Sequence, residues 1–153
     1  MIEIEKKYLV RSIPDLSVVQ FVQIEQSYLC ISDEREVRLR KQCDKCFITV
    51  KSGGILERGE WESEISKESY ESLFPSSIGS VIKDRYRINL PGGGIAELDI
   101  YRGNLEGPDH LTVEVEFSCK EEAIVFEKPN WFGKDITDDA RYKNKNLAMN
   151  GWP

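Results

Sequence analysis

The chain has little of several things, and each shortage removes a class of function. Histidine occurs once, as His110, in 153 residues, so there is no histidine-based metal set. Positive charge is in deficit. With 21 Lys and Arg against 27 Asp and Glu, the net charge is −6, and binding of nucleic acid through a generally basic surface is not expected. No apolar run approaches the roughly 18–20 residues needed to cross a bilayer, so no membrane partner is expected either. Cysteine is limited to Cys30, Cys43, Cys46 and Cys119. Cys43-Asp-Lys-Cys46 has C-x-x-C spacing, but no second pair stands at ligand spacing, so plain reduced thiols are expected rather than zinc. Any catalytic metal would then take oxygen ligands, which favours Mg²⁺ or Mn²⁺. Repeats, low-complexity tracts and linkers are missing too, and residues 1–153 are expected to be one domain. The chain opens on a charged strand with no signal-peptide pattern, and the expected location is the cytoplasm.

What the sequence does have is alternation. In residues 1–10, Glu3, Glu5 and Lys7 fall at a spacing of two, which is one face of a β-strand. Ile2, Ile4 and Val10 take the other face, with Tyr8 joining them by drift and Lys6 out of pattern. The habit recurs along the chain. Strands are expected at 24–31, at 36–42 with Arg38 and Arg40 opposite Val37 and Leu39, and at 47–52 carrying Lys51. Others are expected at 57–65 with Glu60, Glu62 and Glu64 opposite Trp61 and Ile65, and at 79–90 with Lys83, Arg85 and Arg87. The last two are 95–101 with Glu97 and Asp99, and 111–117 with Glu114 and Glu116 opposite Val113, Val115 and Phe117.

Residues 16–23 read as one or two helical turns, and 67–74 as a short helix capped by Ser66 and stopped at Pro75. A capping box at 118–121 opens another helix, and 128–133 is an aromatic loop. Thr137-Asp138-Asp139 precedes a last helix through 141–149. Eight hairpin-connected strands with a few short helices make an all-β or α+β architecture, and an eight-stranded closed antiparallel barrel fits the count.

Two arrangements of such a barrel are open. In one, the apolar faces fill the bore and the charges are solvated. In the other, the charges line a tunnel and the apolar faces turn outward, where the short helices packed outside would cover them. The second brings Lys7, Arg38, Arg40, Lys51, Lys83, Arg85 and Arg87 together, which suits a ligand with several phosphoryl groups. Glu3, Glu5, Asp99, Glu114 and Glu116 would then hold one or two divalent cations that bridge phosphate oxygens. The remaining acids would hold the arginines in place, since buried charges persist only when paired or ligated.

The motifs, taken in order, resemble one family. Glu3-Ile-Glu5-Lys-Lys7 is followed by Gln26-Ser-Tyr28-Leu, Val37-Arg-Leu-Arg40, Thr49-Val-Lys51 and Arg58-Gly-Glu-Trp-Glu62. Lys83-Asp-Arg-Tyr-Arg87, Glu97-Leu-Asp99, Glu114-Val-Glu116 and Thr137…Arg141-Tyr-Lys-Asn144 complete the series. The set resembles CYTH-domain proteins of the triphosphate tunnel metalloenzyme family, in particular the small bacterial members.

The resemblance implies an eight-stranded tunnel and metal-dependent hydrolysis of a small anionic triphosphate, inorganic tripolyphosphate being the first choice. Thiamine triphosphatase, nucleoside triphosphatase, adenylate cyclase and a non-catalytic polyphosphate-binding module are the alternatives. It implies the five carboxylates named above as metal ligands and the seven cations as phosphate ligands, with Lys7 near the chemistry. Water is the expected nucleophile. Tyr28 is a candidate proton acceptor, and Glu62 a candidate for positioning that water, with Glu60, Glu64 and Glu97 in support. Arg141 and Lys143 are placed at one mouth of the tunnel, and a homodimer is a further expectation.

Overall fold

The computed structural model describes residues 4–52 and 59–153. Glu3 lies outside the described residues, as do the expected loop at Gly53 and the first residues of the expected strand at 57–65. Alternation becomes strand wherever the sequence shows it. The strands are β1 (Ile4–Val10), β2 (Phe21–Ile31), β3 (Arg35–Gln42), β4 (Lys45–Ser52) and β5 (Gly59–Ile65). They continue with β6 (Gly79–Asn89), β7 (Ile95–Arg102), β8 (Leu111–Phe117) and β9 (Phe132–Asp135). Of the expected helical turns at 16–23, a single turn forms, in which the Val19 N–H donates to the Leu16 carbonyl at 3.1 Å, and β2 already starts at Phe21.

All nine strands belong to one antiparallel sheet in the order β5-β4-β3-β2-β6-β7-β8-β1-β9. The sheet does not close, which corrects the expected eight-stranded closed barrel. The physical reason is β9. It pairs with the edge of β1 that a closing strand would need, with Tyr8 opposite Asp135 and Val10 opposite Phe132. This strand was expected as loop because it is four residues long, follows Pro129 and contains Gly133. That glycine lets two backbones approach, since an added Cβ would lie 3.0 Å from the Leu9 carbonyl oxygen. Open as it is, the sheet curls far enough for side chains from β1 through β8 to line one cavity of about 490 Å³.

The apolar faces of most strands turn away from that cavity. Under α1 (Lys67–Leu73), Leu39, Cys46 and Tyr70 form one outer core. Ser66 caps this helix by accepting from the Ser69 N–H at 3.0 Å. Beside α2 (Lys120–Val125), Tyr8, Ala96, Val113, Val115 and Phe132 form another, with Phe126 and Trp131 against them. Tyr8 is therefore in step with Ile4 and Val10 on the outer face rather than drifting. Each fully buried aliphatic side chain in these layers contributes roughly 1.5–3 kcal/mol. The fold is held largely from outside the bore, which frees the bore for charge. The expected capping box is offset by one residue: Ser118 donates its N–H to Glu122 Oε2 at 3.0 Å, and Cys119 takes the cap position without a side-chain bond.

The last helix breaks the pattern. The expected single helix splits into a 3-10 turn (Ala140–Tyr142) and α3 (Asn144–Asn150), because Lys143 between them is extended. Helix α3 does not pack outside. Its Leu147 packs with Val81 and Tyr101, which lie on the cavity-facing side of β6 and β7. Gly79 permits this, since an added Cβ would stand 2.7 Å from the Ala148 carbonyl oxygen. No helix among the described residues is long and apolar enough to cross a membrane.

Candidate active site

Period-two spacing puts charges on one face of each strand, and antiparallel register then sets them side by side. Glu5 lies opposite Glu116, and Lys7 opposite Glu114, across β1 and β8. Glu114 lies opposite Glu97, and Glu97 opposite Arg87, across β7. Arg38 and Arg40 stand beside Tyr28 and Gln26 of β2. Of the residues expected from sequence, Glu5, Lys7, Tyr28, Arg38, Arg40, Lys51, Glu60, Lys83, Arg85, Glu97, Glu114, Glu116 and Lys143 all line the cavity. The charges therefore face inward.

The rest are placed elsewhere. Glu62 accepts from Thr49 Oγ1 at 2.8 Å and lines an adjoining cavity that shares Arg40. Arg87 and Glu64 are exposed and do not line the main cavity. Arg141 is exposed and paired with Asp139 at 2.7 Å. Asp99 is fully buried and spent on cations, not held out toward a metal. Its Oδ1 accepts from Arg85 Nε at 2.7 Å, and its Oδ2 accepts from Arg85 Nη2 and Lys83 Nζ, both at 2.8 Å.

Burial alone would raise the Asp99 carboxyl, but Lys83 and Arg85 outweigh it and hold it at about 2. Burial pulls the Lys83 ammonium down, and Asp99 works against that. Arg85 is held well above its ordinary range: burial opposes the charge, but Asp99, Glu97 and Glu114 more than compensate. The folded value for Asp99 lies below the unfolded value of about 3.9. Its stabilisation is therefore complete above pH ~4 and is lost as pH falls through about 2. We expect urea unfolding to show this loss of stability as pH falls from 5 toward 2. Asp99→Asn should lack that part of the slope and be less stable by about 3–5 kcal/mol at neutral pH, because it leaves buried cations unpaired.

Arg38 and Arg40 are in a different state. Both have a buried Nε with no hydrogen-bond partner, as does the Gln26 Oε1 beside them. Burial, followed by repulsion from Arg85 and Arg38, pulls Arg40 below the ordinary guanidinium range. Glu62 and Glu97 offset part of this at Arg40, and Glu36 lies 3.9 Å from Arg38. Tyr28 is 1% exposed, and burial pushes its phenol up to about 12 despite the opposing pull of Arg38. That direction is the opposite of what a general base at neutral pH needs.

Among the described residues, no three acidic, histidine or cysteine side chains stand close enough to hold a metal by themselves. Two facing carboxylates, Glu5 and Glu116, still fit a small hard cation, because Mg²⁺ commonly takes one or two carboxylates and completes its shell with water and phosphate oxygens. Residues the sequence reading did not assign also line the cavity: Gln26, Glu36, Asn144 and Lys145. Gln26 and Glu36 share alternation with Tyr28 and Arg38, which is the signal that could have found them. Lys145 has no such signal, since helix spacing says nothing about a distant cavity.

The CYTH domain model matches residues 1–146. An inorganic triphosphatase of Nitrosomonas europaea is 43% identical over 151 residues, covering 97% of this chain and 98% of that protein. An inorganic triphosphatase of Acetivibrio thermocellus is 36% identical over 154 residues, covering 97% of this chain and 94% of that protein. A solved structure of an inorganic triphosphatase matches at 40% identity with a TM-score of 0.80, covering 100% of this chain and 98% of the other. With its motifs in order, its inward charges and a match that spans nearly its whole length, the chain belongs to the CYTH domain family.

Proposed function

We propose that this protein hydrolyses inorganic tripolyphosphate to pyrophosphate and phosphate, with Mg²⁺ or Mn²⁺ held by Glu5 and Glu116. The observation that carries this reading is the corner of the cavity where Arg38, Arg40 and Arg85 converge. Arg85 and Arg38 repel Arg40 there, and Arg38 and Arg40 each have a buried Nε–H without a partner. A ligand with several phosphate oxygens supplies negative charge and the missing acceptors. Triphosphatases of this family depend on metal in general, and the relatives named inorganic triphosphatase support the choice of substrate.

In this reading Arg38 and Arg40 grip the outer phosphate oxygens as their charge grows during transfer. Arg85 is fixed by Asp99 and Glu97, so its position costs no rearrangement when substrate arrives. Lys7 is held by the Tyr142 carbonyl at 2.8 Å and by Glu114 at 3.2 Å. Tyr28 keeps its proton, and its phenol oxygen accepts from Arg38. A divalent cation, when bound, supplies charge against the phosphate oxygens and polarises water. Water oxygen bonds to a terminal phosphorus, the bridging P–O bond breaks, and pyrophosphate leaves with the electron pair while the water proton passes to solvent.

Phosphate release from tripolyphosphate, ATP and thiamine triphosphate, each with Mg²⁺ and with Mn²⁺, tests the proposal. Metal-dependent turnover with tripolyphosphate fastest is the expected result. No release from tripolyphosphate with either metal contradicts it, and tight binding without release assigns a binding module instead.

A further inference from the structure

We infer that Gln26 is a catalytic residue whose carboxamide oxygen accepts a hydrogen bond from the water that attacks the terminal phosphorus; this rests on the function proposed above. In the sheet, β2 runs between β3 and β6. Arg38 and Arg40 stand on one side of it, and Lys83 and Arg85 on the other. Gln26 and Tyr28 share its inward face and line the cavity. Gln26 is thus in the floor between two rows of cations, 4% exposed. It lies directly opposite Arg40, and the Cβ atoms of such partners are about 4.5–5.5 Å apart.

An unmet bond singles Gln26 out. Among the described residues, three cavity-lining side chains have a buried polar atom without a partner: Arg38 and Arg40 through Nε, and Gln26 through Oε1. The two arginine atoms are donors, and phosphate oxygens satisfy them. Gln26 Oε1 is an acceptor. Phosphate oxygens are acceptors too and leave it unmet, and the neighbouring Nε–H groups do not bond to it. The donor left to it in a filled site is water.

Arg40 holds a phosphate beside that water. A water that donates one O–H to Gln26 Oε1 keeps a lone pair free to face the phosphorus. Its oxygen bonds to phosphorus, the bridging P–O bond breaks, and pyrophosphate leaves with the electron pair. The carboxamide aims the water and takes no proton, which passes to solvent. Phosphoryl transfer rests on such positioning together with charge stabilisation.

The test uses Gln26→Met, which keeps the length of the side chain and removes the acceptor, and Gln26→Glu, which keeps an acceptor. With tripolyphosphate and Mg²⁺ or Mn²⁺, kcat should fall about 10²-fold in Gln26→Met, the cost of a misplaced reactant, with KM within about twofold. Calorimetric affinity of the metal-free protein for tripolyphosphate should also stay within about twofold. The thermal midpoint should not fall, since an apolar group replaces an unpaired polar one. Gln26→Glu should keep kcat within about tenfold of the unaltered protein, while its affinity drops because its charge offsets Arg40. A near-normal kcat in Gln26→Met overturns the inference. Weakened calorimetric binding with little loss of kcat also overturns it, by making the amide nitrogen a phosphate ligand. Equal loss of kcat in the two variants does the same, because the acceptor is then not what matters. An unaltered protein that releases no phosphate is a separate outcome: it removes the proposed function itself.

Discussion

Arg40→Ala lowers kcat/KM for tripolyphosphate by about 10²–10³-fold, the usual loss when one preorganised donor to a developing oxyanion is removed. The same change leaves the thermal midpoint of the ligand-free protein at or above its original value. Both halves follow from one geometry. Arg40 is half-buried beside Arg38 and Arg85, and burial and those neighbours outweigh the support of Glu62 and Glu97 for its charge. Its Nη2 donates a short bond to Gln42 Oε1 at 2.6 Å, while its Nε has no partner. The folded chain carries a cost there that an anionic ligand relieves, so function is stored at the expense of stability. Arg40→Lys should recover little, because an ammonium cannot reproduce the planar two-pronged contact with phosphate. Steady-state kinetics with differential scanning calorimetry reads both effects. A clear drop in midpoint together with near-normal kinetics would assign Arg40 to the scaffold.

Glu116→Gln removes activity by at least about 10²-fold and makes the metal-free protein slightly more stable. Glu116 faces Glu5 directly across the β1–β8 pair, and like charges so placed destabilise a sheet by about 0.2–1 kcal/mol. Glu114, next along the same face, has Lys7 opposite and Arg85 at 3.9 Å. A divalent cation turns this repulsion into a binding site. Added Mg²⁺ or Mn²⁺ should therefore raise the melting temperature of the original protein by mass action and leave Glu116→Gln nearly unmoved. An equal rise in both proteins places the ion elsewhere.

The strands could be read from sequence because alternation is local: Arg38 and Arg40 declare a face without reference to any other strand. The inward direction of that face was legible only through the family resemblance and the need to cover the outer wall, and the structure agrees with it. What local pattern could not give was the partner of each residue. Asp99 alternates with Glu97 and so resembles a ligand, yet register places it against Arg85 of β6, where both its oxygens are engaged. β9 is hidden because four residues with one glycine carry no alternation to read, and its pairing with β1 is what prevents closure. The inward position of α3 depends on Gly79 being bare, a property that only the approach of Ala148 makes meaningful. Tyr28 shows the same limit in its chemistry, since neighbouring arginine was legible but the depth of its burial was not.

Calorimetric titration of tripolyphosphate into metal-free protein addresses the inward-facing cations without any contribution from turnover. The unaltered chain should bind it in a salt-sensitive manner, and the Arg38→Ala, Arg40→Ala double variant should bind at least about 100-fold more weakly. Equal affinity in the two proteins would contradict the claim that these buried guanidinium groups form the phosphate site.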